Sequence, residues 1–258
     1  MSSPGPQLIS SRENLLLKEL RRLAQDSTAY RKQRRLWLEG DHLCRAAMER
    51  GVKPALAVFS QAFWATGQVE WASAAIKNIV ITDALFAGLS GLESPAPMAF
   101  VVDLPAQRLL QPGVPTVVLD GLQDAGNVGA ILRSAGAFGF RQVLAIKGTA
   151  ALWSPKVMRA GMGAHFGLAL LEGMEPPDVE SLGIPLLATS SHQGGFLHQA
   201  TLPWPCAWIL GHEGQGVSAS MAAIASLPLR IAQPGGEESL NVACAAAICL
   251  HASAAGRL

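Results

Sequence analysis

Apolar positions along this chain change rhythm near its middle. From Asn14, Leu16, Leu17, Leu20 and Leu23 recur at helical spacing with Lys18, Arg21 and Arg22 between them, which predicts an amphipathic helix with a basic solvent face. Residues 1–9 read as a loose leader, and Trp37–Leu38 as an extended segment. Asp41 is expected to cap a helix ending near Gly51. Ala55–Phe59, Ile79–Ile81 and Ala99–Asp103 predict further strands, and Leu85–Ala87 is too short to assign. The Pro and Gly of 111–115 (QPGVP) punctuate the chain. Beyond them come five short apolar runs, TVVLD, QVLAI, PLLAT, AWILG and LPLRI, of the kind buried in a parallel sheet. Val128–Ala137, Pro155–Met162, Ser218–Ala225 and the Ala-rich Ser239–Gly256 read as helices. The fold class is therefore α/β, with a small α/β domain over 1–110 and a parallel-sheet domain over 111–258.

Charge sharpens that division. The net charge is +1, yet residues 1–53 hold 11 Lys and Arg against 6 Asp and Glu, and the remainder 9 against 13. A basic arm on a nearly neutral body suits a polyanion docking at one end, although a solvated helix face would look the same. Arg31, Lys32, Arg34 and Arg35 are the clearest candidates for phosphate contacts. Cys44, Cys206, Cys244 and Cys249 form no CxxC pair and have no His at zinc-like spacing, so neither a metal site nor a disulfide framework is expected. Cys244 and Cys249 read as buried free thiols of the last helix. No signal peptide is evident, and the longest apolar run, Val242–Ala255, is too short to span a bilayer. A reduced, cytoplasmic setting without membrane partners follows as the expectation.

Three stretches then crowd polar residues and glycines against strand ends, where α/β proteins place their ligands. Asp120–Arg133 reads DGLQDAGNVGAILR, with Asp124 or Asn127 as the cap of a helix carrying Arg133. Gly211–Ser218 reads GHEGQGVS, a glycine-flanked turn around Glu213, and Ser218 is placed to cap the next helix. Gly235–Asn241 reads GGEESLN, with Glu237 and Glu238 before Ser239 and Asn241 at the start of the last helix. Taken singly, each has a plain structural explanation: a capped helix with an ion pair, a tight turn, and a Ser cap. Gly161–Gly167 has GxGxxxG spacing behind a helix, which rejects a dinucleotide fingerprint. His165 and His212 read as structural neighbours of a pocket, and His192 as a loop residue with somewhat better odds of lining one.

In order and separation the three motifs resemble those of the SpoU/TrmH family of RNA ribose 2′-O-methyltransferases, within the SPOUT superfamily. Asn127, Gly129 and Arg133 match its first motif, Gly211, Glu213, Gly214 and Gly216 its second, and Ser239, Leu240 and Asn241 its third. Ser11, Asn14, Lys18 and Leu20, with Leu38-Glu39-Gly40, resemble its N-terminal substrate module. The sequence departs from the family pattern at Ala125, Gly161 and His212, and in Ala232-Gln233-Pro234 after Ile231. The resemblance implies a deep trefoil knot in the C-terminal domain, a homodimer that completes the site, and an N-terminal ribosomal-protein-like (L30e-like) RNA-binding fold. It implies S-adenosylmethionine as cofactor, held by Thr189, Leu210, Gly211, Ile231 and Leu240.

By the same resemblance Arg133 is the catalytic residue, with Asn127, Glu213, Ser239 and Asn241 positioning it and the ribose. A guanidinium keeps its proton tightly, which suits it to hold a phosphate and steady a developing alkoxide, more than to take a proton. The 2′-hydroxyl acceptor points to RNA over DNA, and the separate N-terminal module to ribosomal over transfer RNA. Rival readings are a non-catalytic RNA-binding paralogue, a nucleotide-dependent oxidoreductase, and a base methyltransferase of the same fold.

Overall fold

The computed structural model describes residues 5–190, 194–235 and 239–256 and forms two compact units. One comprises Met1–Ala106 with Trp153–Phe166, the other Gln107–Leu152 with Gly167–Leu258. The first unit runs β1 (Gln7–Ile9), α1 (Leu15–Gln25), α2 (Ala29–Gln33), β2 (Arg35–Glu39), α3 (Asp41–Glu49), β3 (Leu56–Ser60), α4 (Gln61–Trp64), α5 (Val69–Ala74), β4 (Lys77–Ile81), α6 (Asp83–Leu89) and β5 (Met98–Asp103). Its five-stranded sheet has the order β1-β4-β3-β5-β2, with β1, β4 and β3 parallel and β5 antiparallel to β3 and β2.

Local chemistry sets these boundaries. Asn14 accepts from the Leu16 amide at 2.9 Å and starts α1, whose Leu17, Leu20 and Leu23 are buried as the helical spacing predicts. Such a cap contributes about 1 kcal/mol. Three expectations change. Gln7–Ile9 is strand rather than leader, because a parallel ladder on β4 engages its backbone and buries Ile9. The Leu85–Ala87 run lies inside α6, where the Thr82 hydroxyl caps the Leu85 amide and Leu85, Phe86 and Leu89 fill the core. Asp41 is the first residue of α3, not its cap; Gly40, with φ of 93°, precedes it. Asp41 still places its charge where the helix end favours an anion.

The second unit contains β6 (Thr116–Asp120), α7 (Ala125–Ala137), β7 (Gln142–Ile146), β8 (Ala169–Met174), α9 (Pro176–Glu180), β9 (Leu186–Thr189), β10 (Gly195–Phe196), β11 (Ala207–Gly211), α10 (Ala219–Ile224), β12 (Leu227–Arg230) and α11 (Val242–Ala255). α8 (Pro155–Gly161) falls between β7 and β8 in sequence but packs on α1 and β2 of the first unit. Its following Gly163 sits so close to α3 that an added Cβ would lie 2.6 Å from that of Ala46. The segment 153–166 therefore groups apart from the rest of 111–258.

Seven strands, β10-β12-β9-β11-β6-β7-β8, form an entirely parallel sheet. Val118, Leu144, Leu171, Leu186 and Ile209 bury one of its faces under α9 and α10, consistent with the near-continuous apolar runs in the sequence. On the other side the fully buried Trp208 donates its indole N–H to Ser253 Oγ at 2.9 Å, which ties α11 to β11. α11 also packs on α7. Cys249 is buried, and burial pushes its thiol up to about 12; Cys244 is exposed on the first turn, against the expectation for both. Among the described residues no helix is long and apolar enough to cross a membrane.

Candidate active site

Strands β12, β9, β11 and β6 are neighbours and end together, with Gly211 paired to Asp120 and Leu229 to Thr189. The polar loops that follow are thereby gathered at one sheet edge. Asp124 caps α7 by accepting from the Asn127 amide at 2.7 Å, so Asn127 is released from capping. In the second loop the backbones of His212 and Gly216 exchange two hydrogen bonds, at 2.9 and 2.8 Å, closing a tight turn. The chain returns against Gly211 so closely that a Cβ there would lie 2.1 Å from Val217 N. Glycine is the residue this approach requires.

The turn aims Glu213 at the first loop. Its carboxylate accepts from the Asp124 amide at 3.0 Å, the Gln123 amide at 3.2 Å and Asn127 Nδ2 at 3.2 Å. Partial burial works to raise the Glu213 pKa, but hydrogen bonds from its own amide, the Asp124 amide, Asn127 and the Gln123 amide outweigh it and hold the carboxyl down to about 2. Asn127 then accepts through Oδ1 from Asn241 Nδ2 at 3.0 Å, and Asn241 Oδ1 caps α11 by accepting from Ala243 and Cys244. One continuous chain of side chains, Glu213–Asn127–Asn241, thus joins three segments through links that span 86 and 114 residues of sequence. Asp120, nearly buried, adds a fourth tie by accepting from the Ser218 amide at 2.7 Å.

These residues border a cleft of about 560 Å³ lined by Thr189, Gly211, Glu213, Ile231, Gln233, Ser239, Leu240 and Asn241, among others. Thr189, Gly211, Ile231 and Leu240 are where the sequence placed the cofactor. Leu210, expected among them by the resemblance, is wholly buried within the sheet and lies outside the lining. The cap of α11 is Asn241 rather than Ser239, so Ser239 stands exposed at the cleft without the capping role that explained it. Arg133 also departs from expectation. It lies outside the Glu213–Asn127–Asn241 chain and the cleft lining, and among the described residues its side chain makes no hydrogen bond or ion pair. Six residues of helix separate Arg133 from Asn127 by about 9 Å along the axis and turn it about 120° away. His192, Glu237 and Glu238 lie outside the described residues.

Sequence reasoning passed over how His212 works: its Nδ1 accepts from the Gly214 and Gln215 amides at 3.0 and 3.3 Å, bracing the turn from within. It treated His165 as structural, and the ring is buried over Gly161, where an added Cβ would meet His165 Cε1 at 2.4 Å. Gly161 is thereby explained, since a serine would collide with that ring. In the first unit Arg31, Lys32, Arg34 and Arg35 are all exposed around the end of α2. Arg34 ends that helix with φ of 56°, Arg31 lies over the Tyr30 ring, and Arg35 pairs with Asp103 at 3.7 Å.

Comparison with known proteins agrees with this geometry. Residues 115–251 match the SpoU rRNA Methylase family. RlmP of Bacillus subtilis, a 23S rRNA (guanosine(2553)-2′-O)-methyltransferase, is 28% identical over 83% of this chain and 86% of its own length. The crystal structure of an RNA 2′-O ribose methyltransferase superposes with a TM-score of 0.81 at 29% identity, over 97% of this chain and 99% of that one. The SpoU methyltransferase AviRb of Streptomyces viridochromogenes, in complex with the cofactor AdoMet, shares the fold with a TM-score of 0.84 at 22% identity, over 95% and 98% of the two chains.

Proposed function

The chain belongs to the SpoU rRNA methylase family, and we propose that it methylates a ribose 2′-hydroxyl of RNA, ribosomal in preference to transfer RNA, using S-adenosylmethionine. The observation that carries this reading is the Glu213–Asn127–Asn241 chain, which draws all three motifs to one cleft. The cleft suits the cofactor: Leu229, Ile231, Leu240 and Val242 offer apolar walls for a purine, and Thr189, Ser239 and Asn241 offer polar contacts. AviRb, of the same fold, was solved with AdoMet, and RlmP acts on 23S rRNA.

The bound sulfonium would supply the methyl group; the protein has to orient the acceptor and manage its charge. Glu213 is not suited to remove the hydroxyl proton, because its carboxylate is held down to about 2 and already accepts from three other residues. Its work is to fix Asn127 and, through it, Asn241. Ser239 and Asn241 face the cleft as ribose contacts. Arg133 reaches the reaction from a second copy of the chain, as the arginine that holds the neighbouring phosphate and steadies the 2′-alkoxide.

The homodimer this requires is supported by α11, which is rich in Ala and keeps Ile248 exposed. Beside it Leu197, His198, Ile231, Ala247, Ile248 and His251 line an apolar hollow of about 550 Å³. The family resemblance extends the reading to a trefoil knot in 111–258 and to an L30e-like RNA-binding fold for 1–110. Arg31, Lys32, Arg34 and Arg35 would contact phosphates, and a cytoplasmic location fits the buried free thiols. Incubation with S-adenosylmethionine carrying a labelled methyl group should mark ribosomal RNA at a 2′-oxygen. Arg133→Ala should lower that transfer about 10²- to 10³-fold, the scale for loss of a preorganised charge donor, with cofactor binding intact. Near-normal turnover in this variant would remove Arg133 from the mechanism.

A further inference from the structure

Gln233 is a polar residue that capping, pairing and the hydrogen-bond chain of the site all leave unused. It lies just beyond β12, after Ile231, and lines the cleft together with Leu229 and Ile231 of the same segment. Its Oε1 is shut off from solvent and, among the described residues, has no hydrogen-bond partner. A buried acceptor without a donor costs stability, and such groups in folded proteins are rare enough to call for a missing partner.

We infer that Gln233 Oε1 accepts a hydrogen bond from the exocyclic amine of the cofactor's adenine, so that Gln233 is the residue here that reads this edge of the base. The assignment rests on the reading of the cleft as an S-adenosylmethionine site. The donors on that cofactor are its ammonium, its ribose hydroxyls and its adenine amine. An ammonium carries a full charge and needs an anion or water around it, whereas Oε1 is neutral and dry, on a segment that supplies apolar wall. Ribose hydroxyls both donate and accept, which suits a group such as the Thr189 hydroxyl on the polar part of the lining. The purine is the one large apolar body in the ligand. When its faces lie on Leu229, Ile231 and Leu240, its amine is the donor carried in with it.

A double comparison of ligand and protein tests this. S-adenosylhomocysteine and its analogue with hydrogen in place of the adenine amine are titrated by calorimetry into the full-length wild type and into Gln233→Met. Methionine keeps the length and lacks the acceptor. The wild type should bind the analogue about 5- to 10-fold more weakly than S-adenosylhomocysteine, the usual worth of a hydrogen bond with a buried partner. Gln233→Met should bind both alike, and without ligand it should melt no lower than the wild type, because an unpaired buried acceptor has been replaced by an apolar group. Equal discrimination by both proteins, no discrimination by either, or a variant weakened equally toward both ligands would overturn the assignment to the amine. Failure of the wild type to bind S-adenosylhomocysteine at all would instead bring down the reading of the cleft, and Gln233 with it.

Discussion

The two polar regions of this chain are built on opposite principles. Around the cleft of the second unit, Glu213, Asn127 and Asn241 direct their side-chain hydrogen bonds at one another and at loop amides. At the end of α2 in the first unit, Lys32 and Arg34 are exposed, and among the described residues neither side chain makes an ion pair or hydrogen bond. The difference follows from what each has to do. Reacting atoms must be held within a narrow geometry, and side chains already ordered by their neighbours lose no further entropy on binding. A polyanion surface is held by many weak contacts, each free to adapt to the phosphate it meets. Braced side chains and unpaired ones therefore fail differently when changed.

Glu213→Gln strikes the locked region hardest. The amide keeps one acceptor oxygen and turns an NH2 group toward donors that need an acceptor, so charge-assisted contacts are lost from both loops. Such contacts are worth about 1.5–3 kcal/mol each, and cofactor affinity should fall at least about tenfold. Acid separates the two proteins a second way. The folded carboxyl titrates near 2 against an ordinary 4.5. Its stabilising contribution is thus complete above about pH 4.5 and disappears as pH falls toward 2. The melting-temperature gap between wild type and Glu213→Gln should narrow over that interval; a constant gap would mean that Glu213 is not the clamp described.

Changes in the exposed basic patch should be gentler and should reveal themselves through salt. Lys32→Ala and Arg34→Ala are expected to weaken RNA binding a few-fold each. Each should also reduce the slope of log affinity against log salt by about 1, the mark of one lost phosphate contact. S-adenosylmethionine affinity should stay the same. If either variant lowers cofactor affinity as Glu213→Gln does, the contrast between the regions is wrong.

Much of this was legible in the sequence because it is set locally. Ser218 is a cap that short-range chemistry assigns, as is Asp124, one of two candidates beside Asn127, and the five apolar runs of 111–258 all became parallel strands. What escaped depends on distance. Gln7–Ile9 becomes a strand only because β4 arrives beside it, and Trp153–Phe166 joins the first unit through contacts no local pattern encodes. At the site, motif order predicted that Asn127, Glu213 and Asn241 would meet. It could not show that Asn241 takes the cap from Ser239, or that Arg133 points away from them within its own chain. Those outcomes turn on helix phase and on which side chain first reaches the open amides.

The finest probe of the locked region is His212. Its Nδ1 receives the amides of Gly214 and Gln215, as the side-chain oxygen of an Asx turn would. That use places the ring proton on Nε2, so the imidazole serves as a brace and its Nδ1 is not free to take a substrate proton. Asparagine has an acceptor at nearly the same reach, and alanine has none. His212→Asn should therefore leave cofactor affinity unchanged, while His212→Ala should weaken it about 2- to 5-fold, the range for a single hydrogen bond in partial contact with water. The loss should appear in cofactor affinity before turnover, because the turn carries Glu213 to the first loop without reaching the acceptor ribose itself. If asparagine proves as damaging as alanine, something other than the Nδ1 acceptor matters at this position; if neither change is felt, the backbone exchange between His212 and Gly216 is enough to hold the turn.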